Sequence, residues 1–189
     1  MISSSPFQAL IFDCDGTLAD TAPLHYDALL AAFADAGVEF PRSWYLERVG
    51  LSRPAFFKEV REVFDAEIDE EAIMSRHERH FLGTVAGVEP IDHIVSVART
   101  FSASVPMAVA SGGQRRHVLA TLEALDLTHL FSTIVTLEDV VRGKPAPDLF
   151  LEAARRLDVE PDGCVVYEDS EEGLLAATRA GMRAVDVRS

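Results

Sequence analysis

Two carboxylates two residues apart, Asp13 and Asp15, follow the apolar run Ala9-Leu10-Ile11-Phe12 and precede Gly16 and Thr17. In an extended chain that spacing sends both side chains to one side. The apolar run reads as a buried strand, and the ligand crevice of an open α/β sheet lies beyond the carboxyl ends of its strands. Gly16 permits a sharp turn there, and Thr17 offers a hydroxyl to steady it. Carboxylates this close repel unless a cation sits beside them or one keeps its proton, and either arrangement suits phosphate chemistry. An acidic strand-to-helix turn gives the same short pattern, so the pair alone leaves both readings open.

Three more segments carry candidate chemistry. Ser111 follows Ala108-Val109-Ala110 and precedes Gly112 and Gly113, so its hydroxyl and the nearby N–H groups could cradle phosphate oxygens at a helix start, or simply cap that helix. Lys144 stands before Pro145 and Pro147, which restrict the backbone and could aim an ammonium at the acids; taken alone, such a lysine is an ordinary solvated loop residue. Glu168 and Asp169 form a second acidic pair behind Val165-Val166-Tyr167. Oxygen-rich clusters favour magnesium, which takes one or two carboxylates and leaves room for a phosphate. The competing reading makes Asp169 a helix cap in an Asp169-x-x-Glu172 box; as candidate ligands Asp169 leads and Glu168 follows, with Glu171 and Glu172 assigned to the exposed helix face.

These residues need a scaffold that gathers strand ends. Short apolar runs alternate with helical patterns, which predicts a parallel sheet covered on both faces. Strands are expected at Ala9 to Phe12, Met107 to Ala110, Thr133 to Val135, Cys164 to Tyr167 and Ala184 to Val187. Helices are expected at Arg115 to Leu125, Pro147 to Leu157 and Glu171 to Ala180, the last closed by Gly181. From Asp20 to about Val88 helical patterns follow one another, at Leu24 to Ala36, Pro54 to Phe64 and Asp69 to Leu82. That interval reads as a helical insertion, within which Phe56 and Phe57 are packed. His77 and His80 share a helical face, but with no third ligand in sight they make a poor zinc site.

Composition excludes several partners. With 17 basic against 31 acidic residues the formal charge is -14, which argues against a nucleic-acid backbone or an anionic membrane. Arg115-Arg116-His117 therefore reads as a solvated helix start. No apolar stretch spans a bilayer, and Met1 to Pro6 lack the pattern of a secretory signal, so a cytoplasmic location is expected. Cys14 and Cys164 are read as small core residues that neighbouring strands could bring close together.

The segment Phe12-Asp13-Cys14-Asp15-Gly16-Thr17-Leu18-Ala19-Asp20-Thr21 resembles the first motif of the haloacid dehalogenase (HAD) superfamily of phosphatases and phosphomutases. Met107 to Gly113 resembles its second motif, Arg142-Gly143-Lys144-Pro145-Ala146-Pro147-Asp148 the third, and Val165 to Ser170 with Gly173 and Ala180-Gly181-Met182 the fourth. The resemblance implies an α/β fold, a Rossmann-like parallel sheet core over residues 1–20 and 89–189 with an inserted α-helical cap over 21–88. It implies Mg2+ bound through Asp13, Asp15, Glu168 and Asp169, with Asp15 contributing its backbone carbonyl. Asp13 would be the nucleophile that forms an aspartyl phosphate, Asp15 the acid and base, and Ser111 and Lys144 the groups that steady the transferring phosphoryl.

Asp20-Thr21-Ala22-Pro23-Leu24-His25 and Val49-Gly50-Leu51-Ser52-Arg53 resemble β-phosphoglucomutase-like members, which implies that Thr21, His25 and Arg53 face the substrate, joined by Gly112, Gly113 and Gln114. Gln114 stands where the mutase pattern carries a lysine, which favours hydrolysis. The expectation is a phosphatase for a small phosphate ester, a sugar phosphate, acting as a monomer or weak homodimer. A β-phosphoglucomutase-like mutase and a non-catalytic phosphate-binding regulator are the alternatives.

Overall fold

A computed structural model describes residues 7–48, 51 and 53–188. Met1 to Pro6, and Val49, Gly50 and Ser52 of the segment matched to the mutases, lie outside the described residues. Two units emerge, one formed by the chain up to Asp20 and from Val88 onward, the other by Thr21–Gly87.

The larger unit begins with β1 (Ala9–Phe12) and the two-residue β2 (Ala19–Asp20). The helical unit follows with α1 (Ala22–Phe33), α2 (Arg42–Leu46), α3 (Arg53–Phe64) and α4 (Glu70–Thr84). Helix α1 is shorter than expected because a 3-10 turn, Ala34–Ala36, takes its end and closes on Gly37 at φ +66°. Asp69 starts α4 by accepting the N–H groups of Glu71 and Ala72, both at 3.1 Å, so it is a cap rather than a first helical residue. Phe33, Phe40, Tyr45, Phe56 and Phe57 form the aromatic heart of this unit, as the pattern around Phe56 and Phe57 predicted.

The chain re-enters the larger unit at β3 (Glu89–Pro90), which pairs antiparallel with β2. Then come α5 (Asp92–Phe101), β4 (Met107–Ala110), α6 (Arg115–Ala124), β5 (Thr133–Val135), α7 (Asp148–Leu157), β6 (Cys164–Glu168), α8 (Glu171–Arg179) and β7 (Arg183–Asp186). The main sheet is parallel, in the order β5-β4-β1-β6-β7. Its central strand alternates between two cores. Ala9 and Ile11 pack with Phe150 and Ala153 of α7 and Ala176 of α8, while Leu10 and Phe12 pack with Ile94 of α5 and Val118 and Leu122 of α6. Burial on both faces is why β1 reads as one continuous apolar run.

Successive strands step outward from β1 to β4 and β5, then return to β6 on the other side of β1. The gap between the carboxyl ends of β1 and β6 is thus the topological switch point, where open α/β sheets hold their ligands. At the far end of α8, Gly181 sits at φ +76°, its N–H reaching Thr178 O and the next N–H reaching Ala177 O, both at 3.0 Å. That is the paired bonding of a glycine-closed helix, as the sequence predicted. The expected closeness of the two cysteines does not hold. Pairing aligns Cys164 with Ala9, five positions before Cys14, so the two buried thiols lie toward opposite ends of the strands. Among the described residues no helix is long and apolar enough to cross a membrane.

Candidate active site

Asp13 leaves the end of β1, and its N–H donates to Tyr167 O at 3.0 Å, which fixes its backbone against β6. The side chain is nearly buried. Lys144 Nζ donates to Asp13 Oδ1 at 2.5 Å and to Glu168 Oε2 at 2.6 Å, bridging residues 131 and 24 positions away in sequence. The ammonium also lies 5.2 Å from the centre of the Phe150 ring. Burial works against its charge, yet Asp13 and Glu168 outweigh that cost and hold the lysine protonated well above its ordinary range. The Lys144 loop is tied down on both sides: Arg142 makes a two-pronged contact with Asp148, and Arg179 donates to Pro145 O at 2.8 Å.

Glu168 is the most buried acid of the group and is built in from α8. Its Oε1 accepts the Ser170 N–H at 3.0 Å and the Ser170 hydroxyl at 2.6 Å. Ser170 in turn caps α8 by accepting the Gly173 N–H at 3.0 Å. The Asp169-x-x-Glu172 capping box is therefore wrong: Ser170 is the cap, because its hydroxyl sits one residue nearer the helix. Asp169 is instead half-buried and accepts the Thr17 hydroxyl at 3.2 Å, while Glu171 and Glu172 are exposed as expected. Gly173 enters the sequence reading only as part of the fourth motif, without its physical reason. A Cβ at that position would collide with the Glu168 carboxylate, so the glycine makes room for the buried acid.

Asp13, Glu168 and Asp169 each offer a carboxylate oxygen, and these three atoms lie within 4.8 Å of one another. The Asp15 side chain is not part of this trio. It leans toward the β4 loop, where Ser111 Oγ stands 3.5 Å from Asp15 Oδ2 and accepts the Gly113 N–H at 2.9 Å. Burial, followed by Glu168 and Asp15, raises the Asp13 carboxyl well above its usual range even though Lys144 pulls the other way. Burial and Glu168 raise Asp169 as well. One ammonium thus undercompensates the clustered acids, and hard oxygen donors short of positive charge fit a divalent cation.

The turn that follows Asp15 is equally constrained. Gly16 has φ +78°, and a Cβ there would run into the Asp169 carboxylate. Gly16→Ala is expected to cost about 1–2 kcal/mol from the left-handed backbone alone, plus the displacement of Asp169. Urea unfolding of the variant tests this, and an unchanged midpoint would contradict it.

The remaining predicted positions fall as follows. Gly112 and Gln114 are exposed in the loop before α6, with Gly113 between them half-buried. The start of α6 is not simply solvated, since His117 is buried and Arg115 pairs with Asp139. In the helical unit Thr21 is buried, and its carbonyl accepts the His25 N–H at 3.0 Å. The His25 ring stacks on Phe81 at 4.4 Å, and its Nδ1 lies 3.1 Å from Nε2 of His77. His77 was read only beside His80; its partner is His25, which comes from a different helix. Arg53 is exposed with its guanidinium 5.8 Å from the Phe57 ring centre, and it lines a cavity of about 220 Å³ with His25, His77 and Tyr45.

Residues 10–187 match the family model described as haloacid dehalogenase-like hydrolase. The chain belongs to the haloacid dehalogenase-like hydrolase family. Within that enzyme family it is 35% identical over 184 residues to "Fructose-1-phosphate phosphatase YqaB" of Escherichia coli, covering 96% of this chain and 97% of the relative. It is 30% identical to "Beta-phosphoglucomutase" of Bacillus subtilis, covering 95% of this chain and 83% of the relative. A crystal structure of CbbY from Rhodobacter sphaeroides in complex with phosphate matches with a TM-score of 0.80 at 30% identity, covering 94% of this chain and 84% of that one. The parallel sheet with flanking helices is the architecture that the four motifs led one to expect in this HAD-family chain.

Proposed function

We propose that this HAD-family chain is a magnesium-dependent phosphatase that hydrolyses a small phosphate monoester, a sugar phosphate, through a phosphorylated Asp13. The supporting observation is the Asp13 carboxylate gripped at 2.5 Å by a buried lysine at the sheet's switch point, with Glu168 and Asp169 gathered beside it. Asp13 and Asp169 are the proposed metal ligands together with the Asp15 backbone carbonyl. Glu168, with Lys144 and Ser170 on its oxygens, serves mainly as the second anchor of the lysine. Bound Mg2+ would supply positive charge to the transferring phosphoryl group and leave Asp13 ionised.

The chain's own groups account for the proton and bond changes. An oxygen of Asp13 attacks phosphorus as the bond to the sugar oxygen breaks, and Asp15 gives that oxygen its proton. Asp15 then takes a proton from water as the water oxygen attacks phosphorus, which releases inorganic phosphate and restores the Asp13 carboxylate. Lys144 and the donors of the Ser111 loop, including Gly112, Gly113 and Gln114, balance the charge spread over the phosphoryl oxygens. Thr21, His25 and Arg53 are proposed to contact the sugar or a distal phosphate.

Hydrolysis is favoured over phosphoryl return because exposed Gln114 replaces the mutase lysine. The phosphatase relative also matches over nearly its whole length, which puts fructose 1-phosphate at the head of the substrate panel. The test is phosphate release from a panel of sugar phosphates and p-nitrophenyl phosphate. Release is expected with Mg2+, absent in excess EDTA and restored by added Mg2+. Conversion of β-glucose 1-phosphate to glucose 6-phosphate would establish the mutase instead, and phosphate binding without turnover of any ester would establish the regulator. Release undiminished by EDTA would remove the metal from the proposal.

A further inference from the structure

Asp139 touches none of the site residues, yet it holds together both loops that carry them. It lies one turn beyond β5, and its Oδ2 accepts the Thr136 N–H at 2.8 Å and the Thr136 hydroxyl at 3.2 Å, closing a reciprocal cap where the strand ends. The same Oδ2 pairs with the guanidinium of Arg115, the first residue of α6, directly behind the loop of Ser111 to Gln114. Its Oδ1 accepts from Arg156 Nη2 at 2.7 Å, and Arg156 belongs to α7, the helix that follows Lys144. Arg156 also reaches Ile134 O at 3.3 Å and Glu152 at 2.7 Å. Neighbouring Glu138 reinforces the link by accepting the Arg115 N–H at 3.0 and 3.2 Å.

Such a carboxylate is suited to a rigid role. Its side chain is 15% exposed, against 26% for Arg156 and 38% for Arg115, so the Arg156 contact above all is shielded from the competition with water that weakens surface pairs. Burial alone would oppose its charge, but the hydrogen bonds from Arg156 and Thr136 and the Arg115 charge prevail and keep Asp139 ionised below its ordinary range. The segments it joins need such a tie. Ser111 to Gln114 and Val140 to Pro147 lie outside helix and strand, so beyond the Ser111 N–H, which donates to Val135 O at 3.0 Å, these loops depend largely on side-chain ties. Phosphoryl transfer depends on holding reacting groups to within a fraction of an ångström, and a 1 Å misplacement can cost about 10²-fold.

We propose that Asp139 is a positioning residue that fixes the Ser111 loop against the Lys144 loop by pairing at once with Arg115 and Arg156. The inference rests on the phosphatase reading for its kinetic consequence but not for its mechanical one. Asp139→Asn keeps the shape and the cap with Thr136 while weakening both arginine pairs. It is expected to lower kcat about 10–100-fold with KM changed less than threefold. In a Ser111→Ala background the same substitution is expected to lower kcat by clearly less, because the loop it positions has already lost its hydroxyl. Asp139→Glu, which keeps the charge, is expected to recover part of the lost rate.

Amide hydrogen exchange of wild type and Asp139→Asn provides a readout independent of turnover. Faster exchange is expected in both the 111–115 and the 136–147 segments, with β1 and β6 still protected. Unchanged exchange in the 111–115 segment would overturn the proposal, as would a well-folded Asp139→Asn variant with kcat within twofold of wild type, or kinetic effects fully additive with Ser111→Ala. Should the wild type turn over no ester while both segments loosen in the variant, the clamp stands and the phosphatase reading falls.

Discussion

Asp13→Asn is expected to lower kcat by at least about 10³-fold on every ester the wild type hydrolyses, with the fold intact. The amide matches the carboxylate in shape, so the packing at the end of β1 survives and Lys144 keeps its 2.6 Å contact with Glu168. What disappears is the oxygen nucleophile. Stability should hold or improve, since burial and the neighbouring Glu168 and Asp15 already make the charged form of Asp13 costly. Single-turnover assays with an ester labelled on phosphorus would show label on the wild-type protein and none on the variant. Residual turnover within tenfold of wild type would rule out Asp13 as the nucleophile.

Lys144→Met is expected to be the most damaging single change to folding. It leaves Asp13 and Glu168 facing each other, 7% and 1% exposed, without their shared cation. Breaking a buried pair this way costs about 3–5 kcal/mol, far more than removing a surface lysine. The pH dependence has a definite sign. Lys144 lowers the Asp13 pKa in the wild type, so its loss drives an already raised value further up. A folded carboxyl with a raised pKa binds its proton more tightly than the unfolded chain does, near pH 3.9, so stability falls as pH rises above that point. The wild-type value is itself raised, so the variant's deficit grows once pH passes the wild-type Asp13 pKa, and urea unfolding without metal should show a larger deficit at pH 8 than at pH 5. Activity at saturating Mg2+ is expected to fall about 10²–10³-fold, from loss of charge stabilisation at the phosphoryl oxygens. Equal stability of wild type and variant at pH 8 would mean that the lysine does not compensate the buried acids.

How much of this was legible depends on how local the signal is. Strands β1, β4 and β5 fall on their expected bounds because residues buried on both faces leave unbroken apolar runs. The edge strand β7 is displaced by one residue, to Arg183–Asp186. Its first three residues are exposed, so hydropathy gave no edge to read, and the pairing of Val165 with Arg183 sets the register instead. Helix α2 was not foreseen, since five residues are too few to establish a helical period. The pairing of β2 with β3 joins two dipeptides whose partners are 69 and 71 positions apart, and neither dipeptide carries a strand pattern of its own.

By itself the sequence marked the acids and the serine that emerge at the ends of β1, β4 and β6, because each apolar run and the polar residues behind it are consecutive, whereas Lys144 lies in a loop beyond β5 and carries no such local mark. It also determined the turn at Gly16 and the glycine closing α8, where φ is positive and a residue without a Cβ is favoured. The tertiary structure alone decided which acid holds which cation. The choice of Ser170 over Asp169 as helix cap is local, made within three residues, but that Lys144 bridges Asp13 and Glu168 and that His25 meets His77 across two helices depend on distances between segments far apart in the chain. Such distances are set by strand order and helix packing, to which dozens of residues contribute small free energies and no short motif contributes enough to be read.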